Sequence, residues 1–161
     1  MTWSIINFTS EEIIELALEM EKSGKVFYEK AVAYAEGSKL KGMLSYLAEE
    51  EERHIADFQK IEEKLSKDFS PEETYVGEYG DYMKAMVNSH IFNCSNIEDL
   101  LKGVKTDREI LNFALSFEKD SIMIFQEFVN FVDKSGHAVI DQLVNEEKGH
   151  IKKISLMFQE I

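Results

Sequence analysis

At 161 residues, 44% of them hydrophobic and 30% charged, the chain has the length of one domain and enough apolar side chains for a real core. Its net charge of −13 makes nucleic acid and anionic membranes poor partners, and no stretch is long and apolar enough to span a bilayer. One proline and eight glycines point to long uninterrupted helices, and the single Cys94 excludes an intrachain disulfide framework and a four-cysteine metal site.

The segment from Met1 to Phe8 has neither a basic region nor an apolar stretch of signal-peptide type, so a cytoplasmic location is expected. Thr9 and Glu12 form a capping box ahead of an apolar run, and the first helix is predicted to continue to about Glu36. Its inward face reads Ile14, Ala17, Glu21, Gly24, Tyr28, Ala31 and Ala35. Gly37 and Ser38 end this helix and cap a second one over roughly 38–66. The connection is short, so the two helices should pack antiparallel. Residues 71–105, opened by Pro71 and interrupted by Gly77, Gly80 and Gly103, form a long crossover. Short helices are predicted there over Asp81–Phe92 and Ile97–Val104. His90 and Cys94 have no partner at ligand spacing and are read as structural or incidental. A second capping box, Thr106 and Glu109, opens a third helix to about Asp133, with the face Leu111, Ala114, Glu118, Ser121, Phe125, Phe128 and Val132. Lys134, Ser135 and Gly136 turn the chain, and a fourth helix runs from about His137 to the end, with His137 read as a surface residue.

The second and fourth helices carry the unusual feature. Leu44, Leu47, Glu51, His54, Phe58, Ile61 and Leu65 recur at alternating steps of three and four, the spacing of a core seam. Ile140, Leu143, Glu147, His150, Ile154, Met157 and Ile161 repeat the pattern. In both, Glu and His three residues apart stand where Leu or Ile is expected, while Glu50, Glu52 and Arg53 are expected to face solvent. Glu21 and Glu118 are lone carboxylates in the other two seams, and Ala17-Leu18-x-x-Glu21-Lys22 matches Ala114-Leu115-x-x-Glu118-Lys119. The chain is therefore read as all-α, a four-helix bundle built from two antiparallel hairpins that are joined by a long, partly helical crossover, in a single domain spanning 1–161.

Four buried carboxylates without partners would each cost several kcal/mol, on the order expected for burying unpaired charge. A shared metal site removes that cost. Four Glu and two neutral His balance two divalent ions, with two Glu bridging and one Glu and one His left for each metal. Oxygen and nitrogen donors without thiolate suit iron or manganese, with zinc possible. Glu21, Glu51, His54, Glu118, Glu147 and His150 are the candidate ligands. Tyr28 is either a core aromatic or a hydrogen-bond donor to a ligand; Phe125 takes the matching place in the second half and cannot donate.

Glu-Lys-x-x-x-x-Phe-Tyr at 21–28, Glu-Glu-Glu-Arg-His at 50–54, Glu-Lys-Asp-Ser at 118–121 and Glu-Glu-Lys-Gly-His at 146–150 resemble the rubrerythrin-like branch of the ferritin-like superfamily. The likeness covers all four long helices. It implies a ferritin-like bundle holding two irons on the six residues named above, with Tyr28 as a site tyrosine. It implies an oxidoreductase that reacts with hydrogen peroxide or dioxygen in oxidative-stress protection, and a homodimer. This chain lacks the four-cysteine rubredoxin-type centre of rubrerythrins, so an external electron donor such as a rubredoxin-type protein is required. Rubrerythrins also carry a Glu three residues after the third-helix ligand, where Ser121 stands here. The alternatives are a ferritin-like iron-binding protein without a dedicated substrate, a substrate-specific hydroxylase, and a purely structural bundle whose polar layer sets register.

Overall fold

Both expected capping boxes form. Thr9 accepts from the Glu12 backbone while Glu12 reaches back to the Thr9 N–H, and Thr106 and Glu109 do the same. The computed structural model describes residues 9–64, 78–89 and 96–161. His90, Cys94, Leu65 and Pro71 lie outside the described residues. Within them the helices are α1 (Ser10–Ala31), α2 (Ser38–Lys64), α3 (Glu78–Asn88), α4 (Ile97–Lys102), α5 (Asp107–Phe128) and α6 (Lys134–Met157), with a 3-10 turn at Val129–Phe131. None is long and apolar enough to cross a membrane.

The boundaries depart from expectation at several helix ends; α4 stops at Lys102 rather than Val104, α5 at Phe128 rather than near Asp133, and α6 at Met157 short of the chain end. α1 stops at Ala31 rather than near Glu36, and the chain leaves it so that the Glu36 and Gly37 N–H groups can donate to the Asp107 carboxylate at 2.7 and 2.8 Å. That carboxylate, on the first turn of α5, ties the α1–α2 turn to the other hairpin. α3 starts at Glu78 rather than Asp81, with Glu78 and Asp81 both in its first turn, where acidic groups favour the helix dipole. Lys134, Ser135 and Gly136 are the first turn of α6 rather than a loop, because Asp133 caps it by accepting from the Ser135 and Gly136 N–H groups. Gly136 is required there, since a Cβ would lie 2.8 Å from Val132 Cβ.

α1 packs along α2 and α5 along α6, and the two hairpins meet through α1–α5 and α2–α6. The core lies in two apolar clusters. One gathers the N-terminal half of α1, the C-terminal halves of α2 and α5 and the start of α6, with Ile14, Phe58, Phe125 and Leu143 fully buried. The other gathers the opposite ends, with Tyr28, Leu44, Leu111 and Ile154 fully buried. This pairing of ends makes each hairpin antiparallel. Each such side chain contributes about 1.5–3 kcal/mol by leaving water. α1 and α5 approach closely at Gly24, where a Cβ would fall 2.3 Å from Phe117 Cζ. Between the two clusters sits a layer of polar residues.

Candidate metal centre

Among the described residues the four expected seams are buried as read, apart from the chain end, where Met157 is half-buried and Ile161 is exposed. Each therefore delivers its polar residues to the interior. Glu21 comes from α1, Glu51 and His54 from α2, Glu118 from α5, and Glu147 and His150 from α6; none is more than 2% exposed. All six converge between the apolar clusters. Ligand atoms of Glu21, Glu51, His54 and Glu147 lie within 4.8 Å of one another, and so do those of Glu51, Glu118, Glu147 and His150. Glu51 and Glu147 belong to both groups, so the two positions share them.

The imidazoles define the direction of each position. His54 Nδ1 lies 3.0 Å from Glu21 Oε2 and 3.0 Å from Glu147 Oε1. His150 Nδ1 lies 2.9 Å from Glu147 Oε2 and 3.3 Å from Glu118 Oε2. The rings stack with centroids 5.6 Å apart. The Nδ1 atoms thus face the shared carboxylates, and the Nε2 atoms face outwards. Each Nε2 meets a carboxylate from the opposite hairpin: His54 donates to Glu146 at 3.1 Å, and His150 stands 3.5 Å from Glu50.

Glu50 corrects the sequence reading. Expected to face solvent, it is 8% exposed, paired with Arg53 and directed at His150. Glu52 and Arg53 are exposed as expected. The outer layer continues one turn further back. Tyr46 donates to Glu50, and its ring stands edge-on to His150 with centroids 6.2 Å apart. Gln142 donates to Glu146 at 2.9 Å. Sequence reasoning missed Glu50, Glu146, Tyr46 and Gln142 as neighbours of the site. The repeated pair of glutamates at 50–51 and 146–147 was the available signal. Tyr28 is fully buried and donates to Glu118 Oε1 at 2.5 Å. Ser121 is buried with no hydrogen-bond partner for its Oγ. His137 is half-buried and donates from Nε2 to the Val132 carbonyl at 3.1 Å.

Protons fill the layer as the structure stands. Burial, reinforced by Glu21 and Glu147, pushes the Glu51 carboxyl well above its usual range. Burial and Glu147 do the same to Glu118. Burial opposes the charge of His54, but hydrogen bonds to Glu147 and Glu21 outweigh it and raise its pKa from 6.5 to about 12. Hydrogen bonds to Glu118 and Glu147 likewise outweigh burial at His150 and raise it to about 10. Glu147, hydrogen-bonded to Glu118 and to both imidazoles, stays ionised well below the ordinary carboxylate range despite burial.

Bound divalent cations fit this donor set. Oε1 of Glu21 and both oxygens of Glu51 are buried without a hydrogen-bond partner. Orphaned buried acceptors of this kind are rare in folded proteins. All of them belong to the residues that the seams marked as ligands. A purely structural polar layer would satisfy its own acceptors.

A crystal structure of a Thermotoga maritima protein described as a candidate ferritin-like diiron-carboxylate protein superposes with a TM-score of 0.71. The match covers 97% of this chain and 98% of that one at 21% identity. The fold is ferritin-like. No protein-family model matches the chain, and no curated protein does. In this bundle Glu21, Glu51 with His54, Glu118, and Glu147 with His150 reach a common level from four different helices.

Proposed function

We propose that the chain is a diiron-carboxylate oxidoreductase of rubrerythrin-like type, which reacts with hydrogen peroxide or dioxygen and is re-reduced by an external one-electron donor such as a rubredoxin-type protein. The observation that carries the reading is the pair of overlapping four-residue groups sharing Glu51 and Glu147, with both buried oxygens of Glu51 left without a hydrogen-bond partner. Glu21 and His54 would serve one ion and Glu118 and His150 the other, with Glu51 and Glu147 between them. Two iron ions bound there would supply two electrons, enough with two protons to reduce one peroxide to two waters.

The chain's own residues prepare the centre for that chemistry. The apolar clusters on either side exclude bulk water and so strengthen every charge interaction in the layer. Glu146 and Glu50 hold the outer imidazole nitrogens, which fixes the ring orientation and leaves Nδ1 for the inner face. Tyr28 holds its proton on Glu118 Oε1. Its own pKa is raised well above the ordinary phenol value by burial and by Glu118, so that proton stays in place at neutral pH.

The deciding experiment is elemental analysis after anaerobic loading with Fe²⁺, followed by peroxide and then by a reductant. Two irons per chain that oxidise rapidly, are re-reduced and oxidise again support the oxidoreductase. Iron that oxidises once and is then retained or mineralised without turnover favours the ferritin-like iron-binding alternative. Tight zinc with no oxidisable iron overturns the redox reading.

A further inference from the structure

The internal repeat relates the two ligand groups, but their surroundings differ. The terminal carboxylate of one group, Glu118, has both oxygens engaged, Oε1 by the Tyr28 hydroxyl and Oε2 by His150. The terminal carboxylate of the other, Glu21, keeps Oε1 without any partner. Phe125 occupies the place that matches Tyr28 and packs against Phe58 with ring centroids 5.0 Å apart, so it offers no donor. The outer carboxylates differ as well. Glu50, beside His150, is paired directly with the Arg53 guanidinium and accepts from Tyr46. Glu146, beside His54, accepts from the neutral amide of Gln142.

We propose that the two metal positions are inequivalent, and that a divalent cation fills the Glu21–His54 position before the Glu118–His150 position. The inference rests on the dinuclear reading above and deepens it. A divalent cation is drawn to uncompensated carboxylate charge, and affinity rises with the charge that the ligands offer. The Tyr28 hydroxyl donates to Glu118 Oε1 and so competes for one oxygen of that carboxylate, whereas Oε1 of Glu21 meets no such donor. Arg53 pairs directly with Glu50 and acts on Glu146 only at longer range, and Glu50 stands 3.5 Å from His150 against 3.1 Å for Glu146 and His54, so Glu50 polarises its imidazole less. Both differences act in one direction. The chain would hold one tightly bound ion and one more exchangeable ion, and could be loaded stepwise with two different metals.

The test is titration of the metal-free 161-residue chain with Zn²⁺ alone, which does not oxidise, read by native mass spectrometry and by calorimetry. At one equivalent the one-metal species is expected to dominate over a mixture of empty and doubly loaded chains. The two affinities are expected to differ by at least about tenfold, equal to about 1.4 kcal/mol. Glu21→Ala should remove the tighter step, and Glu118→Ala should leave it. If either variant fails to fold by circular dichroism, Tyr28→Phe keeps the question open, because it deletes only the hydroxyl. It should tighten the second step and narrow the gap. Equal or cooperative binding in the unaltered chain, loss of the tighter step in Glu118→Ala, or an unchanged gap in Tyr28→Phe each overturn the order of filling while leaving two bound metals. No tight Zn²⁺ at all overturns the dinuclear reading together with it.

Discussion

Glu146, on α6, accepts a hydrogen bond at 3.1 Å from Nε2 of His54, on α2 in the other hairpin. The bond fixes which imidazole nitrogen keeps its proton and which is free to ligate. Glu146→Ala is expected to lower metal affinity at the His54 position by about 10–100-fold, the usual effect of losing an outer partner to a ligating imidazole. Competition against a chelator of known affinity measures this. An affinity within twofold of the unaltered chain would show that the ring is held by packing alone.

Glu51 lies in both ligand groups, whereas His54 lies in one. Glu51→Ala should therefore lower the stoichiometry of tightly bound metal furthest, and His54→Ala should leave the Glu118–His150 position occupied. Metal content after dialysis distinguishes them. Retention of two tight ions in either variant would remove that residue from the ligand set.

Metal uptake should release protons. Without metal, His54 and His150 carry protons at neutral pH, with pKa values raised to about 12 and about 10, and Glu51 and Glu118 are pushed well above the usual carboxylate range. Ligation requires these groups to be deprotonated. Titrating Zn²⁺ into weakly buffered protein with a pH indicator should show net acidification, and affinity should fall as pH is lowered. A titration without proton release would contradict the protonated layer.

The same groups set how stability of the metal-free chain depends on pH. A group whose pKa is raised on folding binds more protons folded than unfolded, so its contribution is fully present below the unfolded pKa and is lost as pH rises through the folded one. For His54 and His150 that window opens near 6.5 and extends to about 12 and about 10. Glu51 and Glu118 act with the same sign from their unfolded value of 4.5 upwards. The urea midpoint of the metal-free chain should fall between about pH 7 and about pH 10, and bound Zn²⁺ should flatten the fall. A midpoint that rises over this range would mean that the layer holds carboxylates ionised instead.

Gly24 is where α1 meets the Phe117 ring. That ring also packs edge-on against Tyr28, with centroids 6.0 Å apart. Gly24→Ala gains helix propensity of about 1 kcal/mol, but its Cβ would land 2.3 Å from Phe117 Cζ. Overpacking costs about 1–3 kcal/mol, so a net loss of up to about 2 kcal/mol is expected in urea unfolding. A stabilised variant would show that the ring moves aside freely.

The seams were legible because a helix converts spacing directly into direction, so residues three and four apart share a face. Glu21, Glu51, Glu118 and Glu147 could be placed inside on that ground alone, and so could the two imidazoles. Glu50 was misread for the same reason. It sits about 100° around the helix from Glu51, and whether that direction meets water or another helix is not a property of α2 by itself. Packing of α2 on α6 turned it inwards onto His150. The early end of α1 depends similarly on Asp107, which is far along the chain and supplies the acceptors for its turn.

Periodicity and capping are local, so they were enough to place the four long helices, their capping boxes and the six side chains of the buried polar layer. Which groups face each other came from packing between helices: Glu146 on His54, Glu50 on His150, and Tyr28 on Glu118 but no donor on Oε1 of Glu21. Those pairings join residues of different helices, and helical periodicity sets an angle about one axis without setting the neighbour or the level along it.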